Sequence, residues 1–101
     1  MSETDLSRNV RAKLEVLGVW CIRIQSGRFK GGRVRGAENG TPDILCLATG
    51  ITWWIETKAT TRPSEDQLKW HNRARRLGHR VYVVRSTDEA IAAAKMEMGI
   101  Q

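Results

Sequence analysis

Residues Asp43–Lys58 read DILCLATGITWWIETK, two apolar runs separated by a turn signal. Thr49-Gly50 suits a tight two-residue hairpin turn, with glycine where a positive φ is needed. The flanking runs then form strands over 43–48 and 51–58. Ile44-Leu45-Cys46-Leu47 and Trp53-Trp54-Ile55 are almost continuously apolar, as in strands covered on both faces. Side chains alternate along a strand, so Trp54, Glu56 and Lys58 share one face, and Trp53, Ile55 and Thr57 the other. With a two-residue turn Ala48 pairs with Ile51, and Asp43 falls opposite Glu56. Opposed residues point to one face with Cβ atoms about 4.5–5.5 Å apart. Two carboxylates so placed repel unless a cation lies between them. A hard divalent ion such as Mg²⁺ takes one or two carboxylates together with water and substrate phosphate. Lys58, on the same side, can steady negative charge on a phosphate while the ion lowers the pKa of bound water. Asp43, Glu56 and Lys58 are therefore a candidate phosphodiester-cleaving set with Mg²⁺ or Mn²⁺ as cofactor. A slip of one residue would turn Asp43 to the face of Ile55 and Thr57 and abolish the site. The competing reading is a plain hairpin with an exposed Glu/Lys pair, since E-x-K is a common tripeptide.

Working outward, residues 4–17 carry Leu6, Val10, Leu14 and Leu17 at helical spacing, with Gly18 as the stop. VWCIRI (19–24) reads as a strand. The stretch 27–40, GRFKGGRVRGAENG, holds no core-forming pattern and reads as a long mobile loop, of a length usual for functional or disordered segments. Ser64 opens a helix to about Leu77, ended by Gly78; residues 80–85 (RVYVVR) read as a strand. Residues 86–98 form the last helix, with Ser86 and Glu89 spaced as a capping box. The order α-β-β-β-α-β-α predicts an α/β fold with a central mixed β-sheet flanked by helices. The crossover over the 64–77 helix should be parallel and right-handed.

The chain has 101 residues, 41% of them hydrophobic, which suits one globular domain over 1–101. No apolar stretch is long enough for a membrane span, and MSETDLSRNV has no signal-peptide core, so a cytoplasmic protein is expected. Cys21 and Cys46 lack partners at metal-ligand spacing and read as free core thiols. A core this small makes a homodimer unsurprising. Of a net charge of +6, residues 21–37 and 67–87 carry +11 without a single acid, and the rest of the chain −5. Such segregation favours a polyanionic partner, because cations placed near phosphates release condensed counterions.

Taken together, these residues resemble the VRR-NUC (virus-type replication-repair nuclease) group of the PD-(D/E)XK nuclease superfamily. The resemblance runs from Glu3 and the first helix with Leu6, Val10, Leu14 and Gly18, through Gly40-Thr41-Pro42-Asp43 and Ile55-Glu56-Thr57-Lys58. It continues over Ser64, Gln67 and Gly78 to Val81-Tyr82-Val83-Val84-Arg85-Ser86. It implies a restriction-endonuclease-like fold and a divalent-metal-dependent endonuclease acting on DNA. By position, Asp43 and Glu56 would be metal ligands, Lys58 the catalytic lysine, Gln67 a helper, and Glu3 a further acid. The resemblance also implies a stand-alone phage-type protein, a homodimer, and branched or Holliday-junction (four-way) DNA as substrate.

Gln67 has a second reading, because Ser64-x-x-Gln67 is itself a capping box. Glu15 reads as a solvated surface acid. His71 and His79 lack partners at ligand spacing and read as surface or semi-buried; His71, one turn past Gln67, is the one that could approach the site. The four tryptophans read first as packing residues. Arg28, Lys30, Arg33 and Arg35 of the glycine-rich stretch, with Lys69 and Arg73, are the candidate DNA contacts, positioning phosphates rather than reading bases. Two other functions compete: a DNA-binding module that keeps the fold without activity, and a restriction-like subunit, for which 101 residues leave no recognition domain.

Overall fold

A computed structural model of the chain describes residues 1–26 and 36–101. Its elements follow the expected order: α1 (Glu3–Val16), β1 (Trp20–Arg23), β2 (Ile44–Ala48), β3 (Ile51–Thr57), α2 (Glu65–Arg76), β4 (Val81–Val84) and α3 (Thr87–Met98). No bound lies more than one residue from its expectation. The candidate DNA contacts Arg28, Lys30, Arg33 and Arg35 lie outside the described residues.

The strands form one sheet in the order β1-β2-β3-β4. β1/β2 and β2/β3 are antiparallel and β3/β4 is parallel, as the crossover required. The β2/β3 ladder runs from Ala48↔Ile51 to Ile44↔Ile55, which is the register set by a two-residue turn, and Gly50 takes φ +74° there. Trp53 and Ile55 therefore face one side, where with Ile44, Cys46 and Val84 they meet Leu6, Val10 and Leu14 of α1 and Ala90 and Ala94 of α3. Burying each of the larger aliphatic side chains in such a core contributes about 1.5–3 kcal/mol. Trp54 faces the opposite side and meets Trp70 of α2 edge-to-face, with ring centroids 5.0 Å apart. One sheet thus has α1 and α3 on one face and α2 on the other.

The helices begin where short polar side chains replace missing backbone acceptors. Ser2 caps α1 by accepting from the Asp5 N–H, and Glu3 and Asp5 place negative charge in the first turn, where the helix dipole favours it. At α3, Ser86 accepts from the Glu89 N–H, but the Glu89 carboxylate accepts from the Arg85 N–H instead of closing the expected box on Ser86. Trp20 departs from the packing expectation: β1 is an edge strand and the ring is two-thirds exposed. Among the described residues, no helix is long and apolar enough to cross a membrane.

The two cysteines, each read alone in the sequence, are opposed: Cys21 pairs with Cys46 across β1 and β2, and both are free thiols. The Cys46 thiol donates to Cys21, which holds Cys21 below and Cys46 above the usual thiol range; burial raises Cys46 further. Opposed residues of an antiparallel pair lie within the Cα separation a disulfide needs. Mild oxidation with diamide should therefore link Cys21 to Cys46 within one chain. Thiol counting should fall from two free groups to none with no disulfide-linked dimer on a non-reducing gel. Two persistent thiols would place β1 in another register.

Candidate active site

Five segments converge at one end of the sheet, around a cleft of about 360 Å³. Glu3 and Ser7 come from the start of α1, Asp43 from the entry to β2, and Glu56, Thr57 and Lys58 from the end of β3. Gln67 comes from the first turn of α2, while Arg23, Gln25 and Ser26 line the β1 side. All five residues read as catalytic in the sequence, Glu3, Asp43, Glu56, Lys58 and Gln67, thus line one cavity. Lys69 and Arg73 do not: they line a separate groove with Trp54, Trp70 and His79.

Asp43 sits one residue before the regular ladder. Its Oδ1 accepts from the Thr57 N–H and its Oδ2 from the Thr57 hydroxyl, both at 2.7 Å. Its own carbonyl accepts from the Ile24 N–H at 2.7 Å, so backbone and side chain are both fixed. In the sequence Thr57 reads only as a strand residue between Glu56 and Lys58, with no role of its own. Its β-branched shape at the end of a strand was the available signal, with a hydroxyl beside the acidic strand entry.

Glu56 has no such clasp. It is only 4% exposed, and burial pushes its carboxyl above the usual range. His71 and Lys58 oppose that shift and the nearby Asp43 charge reinforces it. Its Oε1 is buried without a hydrogen-bond partner. Lys58 is also buried, continuing the sheet through its N–H to the Val84 carbonyl. Its Nζ lies 3.7 Å from Glu3 Oε1, which also accepts from the Thr61 hydroxyl. Glu3 therefore belongs to the cleft although it is nearly terminal.

Gln67 serves the cap and faces the cleft together. Its Oε1 accepts from the Ser64 N–H while its own N–H donates to Ser64 Oγ, completing the capping box. The amide nitrogen is the end left for the cleft. One turn on, His71 corrects the sequence reading of a surface or semi-buried residue: it is fully buried, with Nε2 3.5 Å from Glu56 Oε1. The stripe Gln67, His71, Ala74 explains why, since positions i, i+4 and i+7 share a helix face. Glu15 and His79 are exposed, as expected.

Gly40 fixes α2 against the lead into Asp43. It is buried, has φ +89°, and a Cβ there would overlap the Asp66 carbonyl and stand 3.1 Å from the Gln67 nitrogen. The first turn of α2 and the Gly40-Thr41-Pro42-Asp43 segment are thus in backbone contact.

The donor set suits a hard divalent cation. It offers two carboxylates, one holding an unpartnered buried oxygen and a pKa raised in part by the other. Among the described residues, no group of three or more His, Cys, Asp or Glu could close around an ion.

No family model and no curated protein matches the sequence. A solved structure described as a VRR_NUC domain does match. It is 28% identical, the alignment covers 92% of this chain and 94% of that one, and the TM-score is 0.70. The likeness extends from fold to sequence over almost all of both chains, and the resemblance read from the residues holds.

Gly40→Ala should cost about 1–3 kcal/mol from its positive φ alone, with the collision against Asp66 added. Gly50→Ala, which has a similar φ and open space around it, is the control. Urea denaturation should show the larger loss at Gly40. For Glu56, a folded pKa above the ordinary 4.5 means that the ionised carboxylate costs stability. That cost is absent below the unfolded pKa and complete above the folded one. In EDTA, Glu56→Gln should therefore melt above wild type at pH 7, the gap closing below about pH 4.5; a gap that widens on acidification would reverse the assignment.

Proposed function

We propose that this chain, a domain of VRR-NUC type, is a divalent-metal-dependent DNA endonuclease. Residues 1–101 would form one nuclease domain. The observation that carries this reading is the convergence of Glu3, Asp43, Glu56, Lys58 and Gln67 from four segments onto one cleft.

In this reading Asp43 and Glu56 hold Mg²⁺ or Mn²⁺. The bound ion supplies positive charge to the scissile phosphate and water of lowered pKa. Thr57 keeps both Asp43 oxygens aimed by donating to each. The Lys58 ammonium, held near Glu3 at 3.7 Å, donates to phosphate oxygens as negative charge builds on them. The Gln67 amide nitrogen gives a neutral donor at the α2 wall. The reaction adds water across a phosphodiester P–O bond, leaving a phosphate monoester on one product and a hydroxyl on the other.

DNA is the substrate class that fits the charge pattern. The cations Arg28, Lys30, Arg33 and Arg35, with Lys69 and Arg73 along α2, position the backbone by phosphate contact without reading sequence. We further propose selectivity for branched DNA such as four-way junctions, action as a homodimer, and a cytoplasmic setting, that of the host if the protein is phage-encoded.

The test is cleavage of labelled duplex, single-stranded, flap and four-way-junction DNA in Mg²⁺, Mn²⁺ or EDTA. Wild type should cut the branched substrate in either metal and none in EDTA. Asp43→Asn and Lys58→Ala should each lose on the order of 10²-fold or more in rate while still binding DNA in a salt-dependent manner. Absence of metal-dependent cutting of every substrate overturns the enzyme reading and leaves a DNA-binding module. Cutting that survives in both variants moves the site elsewhere.

A further inference from the structure

Five buried side-chain nitrogen and oxygen atoms among the described residues lack a hydrogen-bond partner, and three of them meet in one place: Glu56 Oε1, His71 Nε2 and His71 Nδ1. Buried polar groups are paired in the great majority of cases, so a possible donor and an acceptor left without partners side by side need a reason. His71 is fully buried, with Nε2 3.5 Å from Glu56 Oε1. That is a few tenths of an ångström beyond an ordinary N–H···O bond, so the two groups face each other without having closed. An apolar side chain on the inner face of α2 would fill the same space, as Ala74 does one turn on, and leave no nitrogen stranded. The imidazole is placed instead against the one oxygen of Glu56 that is turned away from solvent.

We propose that His71 is a positioning residue for Glu56. Its Nε2–H donates to Oε1 and fixes the carboxylate so that Oε2 is the oxygen offered to a cation in the cleft. Thr57 does the same for Asp43 from the other side, so each carboxylate has its own orienting donor. The inference rests on the metal-nuclease reading above and adds a residue which that reading does not use. Outer partners that orient a ligating carboxylate typically contribute 10–100-fold in metal affinity.

The experiment uses the full chain without DNA. Mn²⁺ affinity is measured from the free-ion EPR signal for wild type, His71→Leu and His71→Gln, with circular dichroism and thermal melting as the fold control. His71→Leu should remain folded, since it removes two unpartnered buried nitrogens, yet bind Mn²⁺ about 10–100-fold more weakly. His71→Gln, which again presents an N–H, should recover most of that loss. In wild type the His71 ring ¹⁵N signals should shift on saturation with diamagnetic Mg²⁺, and Glu56→Gln should abolish the shift. Wild type that binds Mn²⁺ no better than His71→Leu overturns the inference alone and leaves His71 as core filling. Wild type that binds no Mn²⁺ overturns the metal reading and this inference together. Should His71→Leu fail to fold, the ring signals decide: no shift with Mg²⁺ in a wild type that binds Mn²⁺ overturns the proposal.

Discussion

The pairing of Ala48 with Ile51 fixes the direction of every side chain that follows along β2 and β3. Because side chains alternate, this one register sends Trp53 and Ile55 into the core with α1 and α3, and Trp54 and Glu56 toward α2. Core and cleft are therefore not separate achievements of the sequence. The tryptophan that anchors the sheet to α1 and the glutamate that faces His71 are three residues apart on one strand, and neither can change face without the other. The strength of the core protects the cleft, since a slip would expose Trp53, Ile55, Ile44 and Cys46 together, at roughly 1.5–3 kcal/mol for each of the larger side chains.

Electrostatics divides the cleft unevenly. Asp43 is ringed by donors, its two oxygens held by the backbone and hydroxyl of a single residue, Thr57. Lys58 is buried but has the Glu3 carboxylate within reach. Glu56 is left as the group whose burial is only partly offset by His71 and Lys58, with a raised pKa. A cation is the natural complement to that imbalance, because it lowers the cost of both carboxylates at once. The fold thus concentrates its electrostatic strain at one residue instead of spreading it around the cavity.

Much of this is legible in the sequence. Turn chemistry at Thr49-Gly50 and the alternation around Trp53-Trp54-Ile55 were enough for the register, and caps at Ser64 and Gly18 set the helix bounds. Three things were not legible, each for a physical reason. Thr57 orients Asp43 through its backbone N–H as well as its hydroxyl, and backbone donors leave no mark in a sequence. His71 looks partnerless in the sequence because its neighbour Glu56 lies on another element. Cys21 and Cys46 looked unrelated because the pairing of β1 with β2 spans a long intervening stretch with no turn signal to fix its register. Lys69 and Arg73 line a groove apart from the cleft, a separation that charge counted along a sequence does not carry.

Gly40 carries a mechanical meaning beyond its backbone angle. With no side chain between them, the strand entry holding Asp43 and the first turn of α2 holding Gln67 touch backbone to backbone. Two walls joined in that way meet with no side chain to separate them, so a shift of one presses on the backbone of the other. A change at the start of α2 is therefore felt at Asp43 as well as at Gln67, and the two walls of the cleft answer to one contact.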